Sequence, residues 1–152
     1  MQANDNILAA GFRLLGLREV PGVKYHPRIV AMLKRILPWA ASDEINWCGA
    51  AMHHTAVEAG AKLTGNRLYG ARNWRFEGHA VEAPIPGDVA VFWRIHPTRA
   101  WQGHVGIYLN EDEDGYIWIM GGNQLNEYNV QKRHKKYLIC YRRLFIEAPL
   151  QI

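Results

Sequence analysis

The hydrophobic period of this chain changes once, at Ala83-Pro84-Ile85-Pro86-Gly87-Asp88. Two prolines, a glycine and an aspartate within six residues form a dense turn signal. Before the turn, apolar residues recur at helical spacing. Ile7, Leu8, Phe12 and Leu15 give a first helix its apolar face, with Asn4 or Asp5 as cap, and this helix is expected to end before Pro21-Gly22. His26-Pro27 opens a second helix with the stripe Ile29, Val30, Leu33, Ile36 and Leu37, and Pro38 stops it. A third runs from Cys48 through an alanine-rich stretch to Gly60. Lys62 to Glu82 reads as irregular, with a short helix around Ala71-Arg72-Asn73-Trp74.

After the turn the pattern is that of strands. Val89 to Trp93 is apolar on both faces, as in a central strand. His104 to Leu109, Tyr116 to Met120, Glu127 to Gln131 and Tyr137 to Arg143 follow. Short connections favour an antiparallel meander. Helices first and strands afterwards define an α+β chain, with the N-terminal helices packed on a C-terminal antiparallel sheet. A chain of 152 residues is expected to be one domain, 1–152, large enough to bury a real core.

The net charge of +4 favours an anionic partner, whether nucleic acid, a membrane surface or a bacterial cell wall. The residues after Met1 have no basic head, and Gly11 and Arg13 interrupt the apolar run that follows, so no signal peptide is expected. No apolar run reaches the ~20 residues of a membrane span. The protein is therefore expected to be made in the cytoplasm and to need another system to reach an outside target. Cys48 and Cys140 do not make a disulfide framework and are expected to be free, with Cys140 structural.

Cys48 is the first candidate for chemistry. A thiol titrates near pH ~8.5, and the positive end of a helix dipole or a nearby imidazole favours the nucleophilic thiolate. The polar segment 42–46 precedes Cys48 and a small-residue helix follows it. His104 shares a strand face with Gly106 and Tyr108, and Gly106 leaves room for the Cys48 helix to approach. Gly121-Gly122-Asn123-Gln124 follows the next strand. Asn123 or Gln124 would then accept a hydrogen bond from one imidazole nitrogen and aim the other at sulfur. Cysteine on a helix N-terminus, then histidine on a strand, is the specific part of the pattern. Each residue alone also fits an ordinary structural role.

Trp47 is the preferred groove residue, with Trp74, Trp93, Trp101 and Trp118 as further stacking candidates. His53-His54 lack the i, i+4 spacing of a helical zinc pair, and no ligand spacing links Cys48, His79 and His96. No metal and no organic cofactor is expected. Lys132-Arg133-His134-Lys135-Lys136 reads as a solvated basic turn, or else as a surface that attracts an anionic polymer.

Trp47-Cys48-Gly49-Ala50, Pro86-Gly87-Asp88-Val89-Ala90-Val91-Phe92, His104-Val105-Gly106-Ile107-Tyr108 and Gly121-Gly122-Asn123-Gln124 together resemble the NlpC/P60 and CHAP superfamily of papain-like peptidoglycan hydrolases. The likeness runs from about Pro21 to Arg143 and looks strongest to a subgroup found among phage-associated and other bacterial proteins. It implies a papain-like α+β fold and cleavage of an amide bond in bacterial peptidoglycan, as endopeptidase or amidase. It carries Cys48 over as nucleophile, His104 as base and Asn123 as third member, with Gln124 the alternative and otherwise a substrate-binding residue beside Trp47. Where many members have a second histidine at the third position, this chain has an amide. The glutamine that often precedes the cysteine is also absent, so the backbone N–H of Cys48 and a side chain from Asp43 to Asn46 are expected to serve the oxyanion. The implied partner is peptidoglycan, reached after lysis, by phage delivery or by dedicated secretion. In the last case a delivery protein and an immunity protein are implied, and no specific nucleic acid is. The rival reading is an inactive or weakly active wall-binding domain on the same fold.

Overall fold

The computed structural model describes residues 2–22 and 24–147. The expectation of one domain over 1–152 therefore includes residues 1, 23 and 148–152, which lie outside the described residues. Three helices come first: α1 (Asn4–Phe12), α2 (Pro27–Lys34) and α3 (Cys48–Glu58). A 3₁₀ segment, Ala71–Phe76, leads into six strands: β1 (His79–Val81), β2 (Val89–Trp93), β3 (Gly103–Glu111), β4 (Tyr116–Gln124), β5 (Glu127–His134) and β6 (Leu138–Arg143). The sheet order is β1-β6-β2-β3-β4-β5, with every pairing antiparallel. The expected α+β architecture is the observed one. No helix among the described residues is long and apolar enough to cross a membrane.

β2 is central and its side chains divide between two clusters. Val89 and Val91 join the main core with Val105, Ile107 and Met120, under Ala50, Ala51 and Met52 of α3 and Ile7 of α1. Ala90 and Phe92 face the other way, against Tyr108, Ile117, Ile119 and Tyr141. This is why the strand reads as apolar at every position.

The turn at residues 83–88 ties three distant parts of the chain together. Asp88 is fully buried. Its carboxylate accepts from Arg143 Nε at 2.8 Å and Nη2 at 2.7 Å, from Asn4 Nδ2 at 2.9 Å and from the Ile85 N–H at 2.8 Å. Asn4 is thereby taken away from helix capping. The cap position is Ala3 and carries no side-chain bond, while Asn4 also donates to the Pro86 carbonyl at 3.0 Å. Gly87 has φ +95, and a Cβ there would stand 2.8 Å from Asn4 Cα, so the start of α1 lies directly on the turn.

Several boundaries differ from the sequence reading. α1 ends at Phe12, and the chain beyond it turns at Gly16 to run beside β5, where the Gly16 and Glu19 N–H groups donate to the Tyr128 and Asn126 carbonyls. β1 is a three-residue edge strand, too short to show a period, and it pairs with β6. β5 continues to His134, so most of the basic run is strand and not turn, in register from Tyr116↔His134 to Met120↔Val130. Lys132 Nζ there rests 4.5 Å from the Tyr116 ring centroid on β4. β4 runs through Gly121-Gly122-Asn123 to Gln124, with an irregularity between Gly121 and Gln124.

Breaking a buried ion pair by removing one partner costs about 3 kcal/mol or more. Arg143→Leu is therefore expected to lower the melting temperature by about 10 °C, read by circular dichroism. An unchanged melting curve would mean that Asn4 and the Ile85 N–H hold Asp88 unaided.

Candidate active site

Cys48 is the first residue of α3, where backbone N–H groups have no intrahelical acceptor. It borders a cleft of about 260 Å³ whose walls include Trp39, Asn46, Tyr69, Trp101 and Gly103. Trp39 and Trp101 are 70% and 75% exposed, so both indoles are open to a ligand. Arg72 secures the Trp101 side of the cleft. Its guanidinium donates to the carbonyls of Arg94, His96, Pro97 and Gln102, at 3.1, 2.6, 2.9 and 2.8 Å, and so braces the β2–β3 loop.

α3 comes close because its first turn is small. A Cβ on Gly49 would meet the Leu68 and Tyr69 carbonyl oxygens at 2.5 Å. The helix lies on the Val105–Ile107 side of β3, not on the His104–Tyr108 side that the sequence suggested. The space left by Gly106 is filled by Ile119 and the Met120 carbonyl. The sulfur meets the strand at its backbone, where the N–H groups of Val105 and Gly49 act on the thiol. Burial raises the thiol pKa, while these N–H groups and the charges of Arg133 and Arg94 pull against that rise.

His104 is 2% exposed, and its Nε2 lies 2.9 Å from Gln124 Oε1. The neighbours of Gln124 determine which proton the imidazole carries. Gln124 Nε2 donates to the Asn129 carbonyl at 2.8 Å and to Asn129 Oδ1 at 3.0 Å. Asn129 Nδ2 donates back to the Gln124 carbonyl at 3.1 Å, which fixes the Asn129 amide in turn. Gln124 therefore presents oxygen to His104, so Nε2 carries the proton and Nδ1 keeps its lone pair. Burial lowers the imidazole pKa to about 3, the nearby Arg133 and Arg94 add to the drop, and the Gln124 bond opposes it. The resting site thus holds a neutral thiol and a neutral imidazole. The charges of the same two arginines act on both groups.

The other residues singled out from the sequence fall as follows. Asn123 does not meet the imidazole; its Nδ2 donates to Asn46 Oδ1 at 3.1 Å. Trp47 is fully buried and lines no groove. Its Nε1 donates to Glu19 Oε1 at 2.7 Å, and its ring lies under Gly122, where a Cβ would come within 2.5 Å. Trp74 is buried too and donates to the Leu68 carbonyl at 2.8 Å. Asp43 is buried and accepts from the Val20 and His26 N–H groups, which leaves Asn46 as the polar side chain of 43–46 on the cleft. Both cysteines are free, and Cys140 packs half-buried against the main core. Sequence reasoning gave no role at the site to Asn129, Glu19 or Trp39. Asn129 could have been found from the hairpin, since Leu125 and Asn126 both have positive φ and pair Gln124 with Glu127 across a two-residue turn.

No family model matches the sequence, and no curated protein matches it. Among solved structures, the chain is similar to a Staphylococcus aureus protein described as similar to lipoprotein, of the NLP/P60 family. The two share 16% identity at a TM-score of 0.50 over 96% of this chain, and the chain spans 42% of that one. At this identity the likeness is one of fold: a few helices against a six-stranded antiparallel sheet, as in an NLP/P60 protein.

The lowered imidazole pKa links stability to acid. An unfolded histidine takes up a proton near pH 6.5, whereas folded His104 does so only near 3. The unfolded state binds more protons in that window, so this contribution is complete above pH 6.5 and is lost as pH falls toward 3, by at most about 1.4 kcal/mol per pH unit. Denaturant titrations at pH 7, 5.5 and 4 should show a shallower decline for His104→Gln than for wild type. Parallel declines would show that His104 already takes up its proton in the folded state.

Proposed function

We propose that the protein is a cysteine hydrolase of the NlpC/P60 type that cleaves an amide bond in bacterial peptidoglycan, as an endopeptidase or amidase. The observation that carries this reading is the Asn129–Gln124–His104 chain, which leaves an unprotonated Nδ1 on a residue that lies between Gly103, which borders the Cys48 cleft, and Val105, whose backbone N–H acts on the Cys48 thiol. The NLP/P60-type fold and the motifs around Cys48 and His104 support it.

His104 Nδ1 takes the thiol proton as Cys48 Sγ attacks the substrate carbonyl. The tetrahedral oxyanion is stabilised by the Cys48 backbone N–H at the start of α3, with Asn46 Nδ2 as the side-chain donor on the same cleft. The imidazolium then protonates the leaving amine, and the C–N bond breaks to leave a thioester. Water, deprotonated by His104, attacks the thioester carbonyl, and the thiolate leaves and recovers its proton. A neutral pair at rest suits transfer concerted with attack, because a separated thiolate and imidazolium are disfavoured by burial until substrate polarity arrives. Gln124 holds the tautomer, Asn129 holds Gln124, and Trp39 and Trp101 offer faces to sugar rings or peptide stems.

Wild type and variants incubated with isolated sacculi, with the released fragments identified by mass spectrometry, test the proposal. Wild type should expose new amine and carboxyl ends. Cys48→Ala and His104→Ala should lose turnover by about 10²-fold or more. Gln124→Ala should lose at least about tenfold through the wrong tautomer, and Asn123→Ala less. Full activity in Cys48→Ala would refute the mechanism. No release from several wall types, with wild type still sedimenting with sacculi, would replace it with a wall-binding role.

A further inference from the structure

A second cleft, of about 580 Å³, is lined by Asn123, whose amide is hydrogen-bonded to Asn46 of the Cys48 cleft. Asn123 and Gln124 border it, so it adjoins the amide that holds His104. Arg94, Lys132, Arg133 and Lys136 line it together with Gln131 and His134, with no aspartate or glutamate among its lining residues. The cations come from distant parts of the chain: Arg94 just beyond β2, Lys132 and Arg133 on β5, and Lys136 in the turn that follows.

Among the described residues none of these four forms an ion pair within 4.0 Å. Arg133, Lys132 and Lys136 lie instead over the rings of Phe92, Tyr116 and Tyr137, at 5.9, 4.5 and 5.0 Å. Their neighbour Lys135 points away and is paired with Glu111 at 2.9 Å. Arg133 is half-buried, and the charge of Arg94 acts on it, so the two guanidinium groups repel. Two guanidinium groups held near each other without a carboxylate partner are unfavourable in the free protein and are relieved when an anion enters.

We propose that this cleft is a carboxylate-binding subsite that takes an acidic group of a stem peptide while the scissile amide lies over Cys48. The identity of the polymer rests on the hydrolase reading above; the anion specificity rests on the cleft itself. Arg94 and Arg133 supply planar, multi-donor contacts suited to a carboxylate. Lys132 and Lys136 add long-range attraction. A bound carboxylate would also offset the two arginines that disfavour imidazolium at His104, so that occupancy of the subsite favours proton transfer from the thiol.

The test is co-sedimentation of Cys48→Ala with sacculi, which reads binding without hydrolysis. Three preparations are compared: untreated sacculi, sacculi stripped of phosphate polymers with hydrogen fluoride, and sacculi whose carboxylates are converted to amides with carbodiimide and ammonium. Cys48→Ala should bind the first two alike and the amidated wall at least about tenfold more weakly. Adding Arg94→Gln and Arg133→Gln should weaken binding to untreated wall to a similar extent, and Arg133→Lys alone should retain more binding than Arg133→Gln alone. Thermal melts verify that each variant folds. Equal binding to amidated and untreated sacculi, or no effect of the arginine pair in folded protein, overturns the subsite. Loss after hydrogen fluoride alone overturns the carboxylate in favour of phosphate. Carboxylate-dependent binding with no wild-type hydrolysis would overturn the proposed reaction and leave the subsite standing, whereas hydrolysis indifferent to the arginines would do the reverse.

Discussion

The buried carboxylate of Asp88 is the constraint on which the rest of the structure depends. A charge without water is tolerable only when paired and hydrogen-bonded. Asp88 meets that demand with the Arg143 guanidinium, the Asn4 amide and the Ile85 N–H. These partners come from the start of α1, from its own turn and from the end of β6, the outer neighbour of β2. Closing this network holds the first helix on the sheet and sets the beginning of β2, the central strand. β2 in turn pairs Phe92 with His104 and Val91 with Val105, and so places the histidine.

The site itself is a second buried polar network, and it depends on an irregular strand. A regular β4 would alternate faces every residue. The register shift between Gly121 and Gln124, with Asn123 at φ +57, turns the strand so that Gln124 reaches the imidazole and Asn123 turns to Asn46. The same bend brings Gly122 against the Trp47 ring, and Glu19 holds that ring by its Nε1. Sheet and α3 thus meet just ahead of Cys48. A residue larger than glycine at position 122 would push α3, which carries Cys48, away from β4, which carries Gln124.

Burial gives this site positional order at the expense of charge separation. Cys48 and His104 are both neutral at rest, and the charges of two arginines disfavour imidazolium further. Within the proposed reaction, the substrate has to supply part of the compensation, through polar contact at the cleft and negative charge in the basic recess. Chemistry would then follow occupancy, and a wrong or absent ligand would leave the thiol protonated.

The sequence by itself determined the order of elements, the central place of Val89–Trp93, the start of α3 at Cys48 and the strand position of His104. These follow from hydrophobic period, from proline and glycine punctuation and from small residues, all of which are local. It could not choose between Asn123 and Gln124, because a bulge reverses side-chain parity and leaves no mark in the period. Nor could it say that Trp47 is buried, since an indole suits a core and a groove equally and only the approach of Gly122 and Glu19 decided which. The basic run read as a turn because its strand partner, β4, is not visible in the run itself. Tertiary structure placed Arg94 beside it and made a recess of what looked like a solvated loop, because charges this far apart in sequence meet only when the sheet closes.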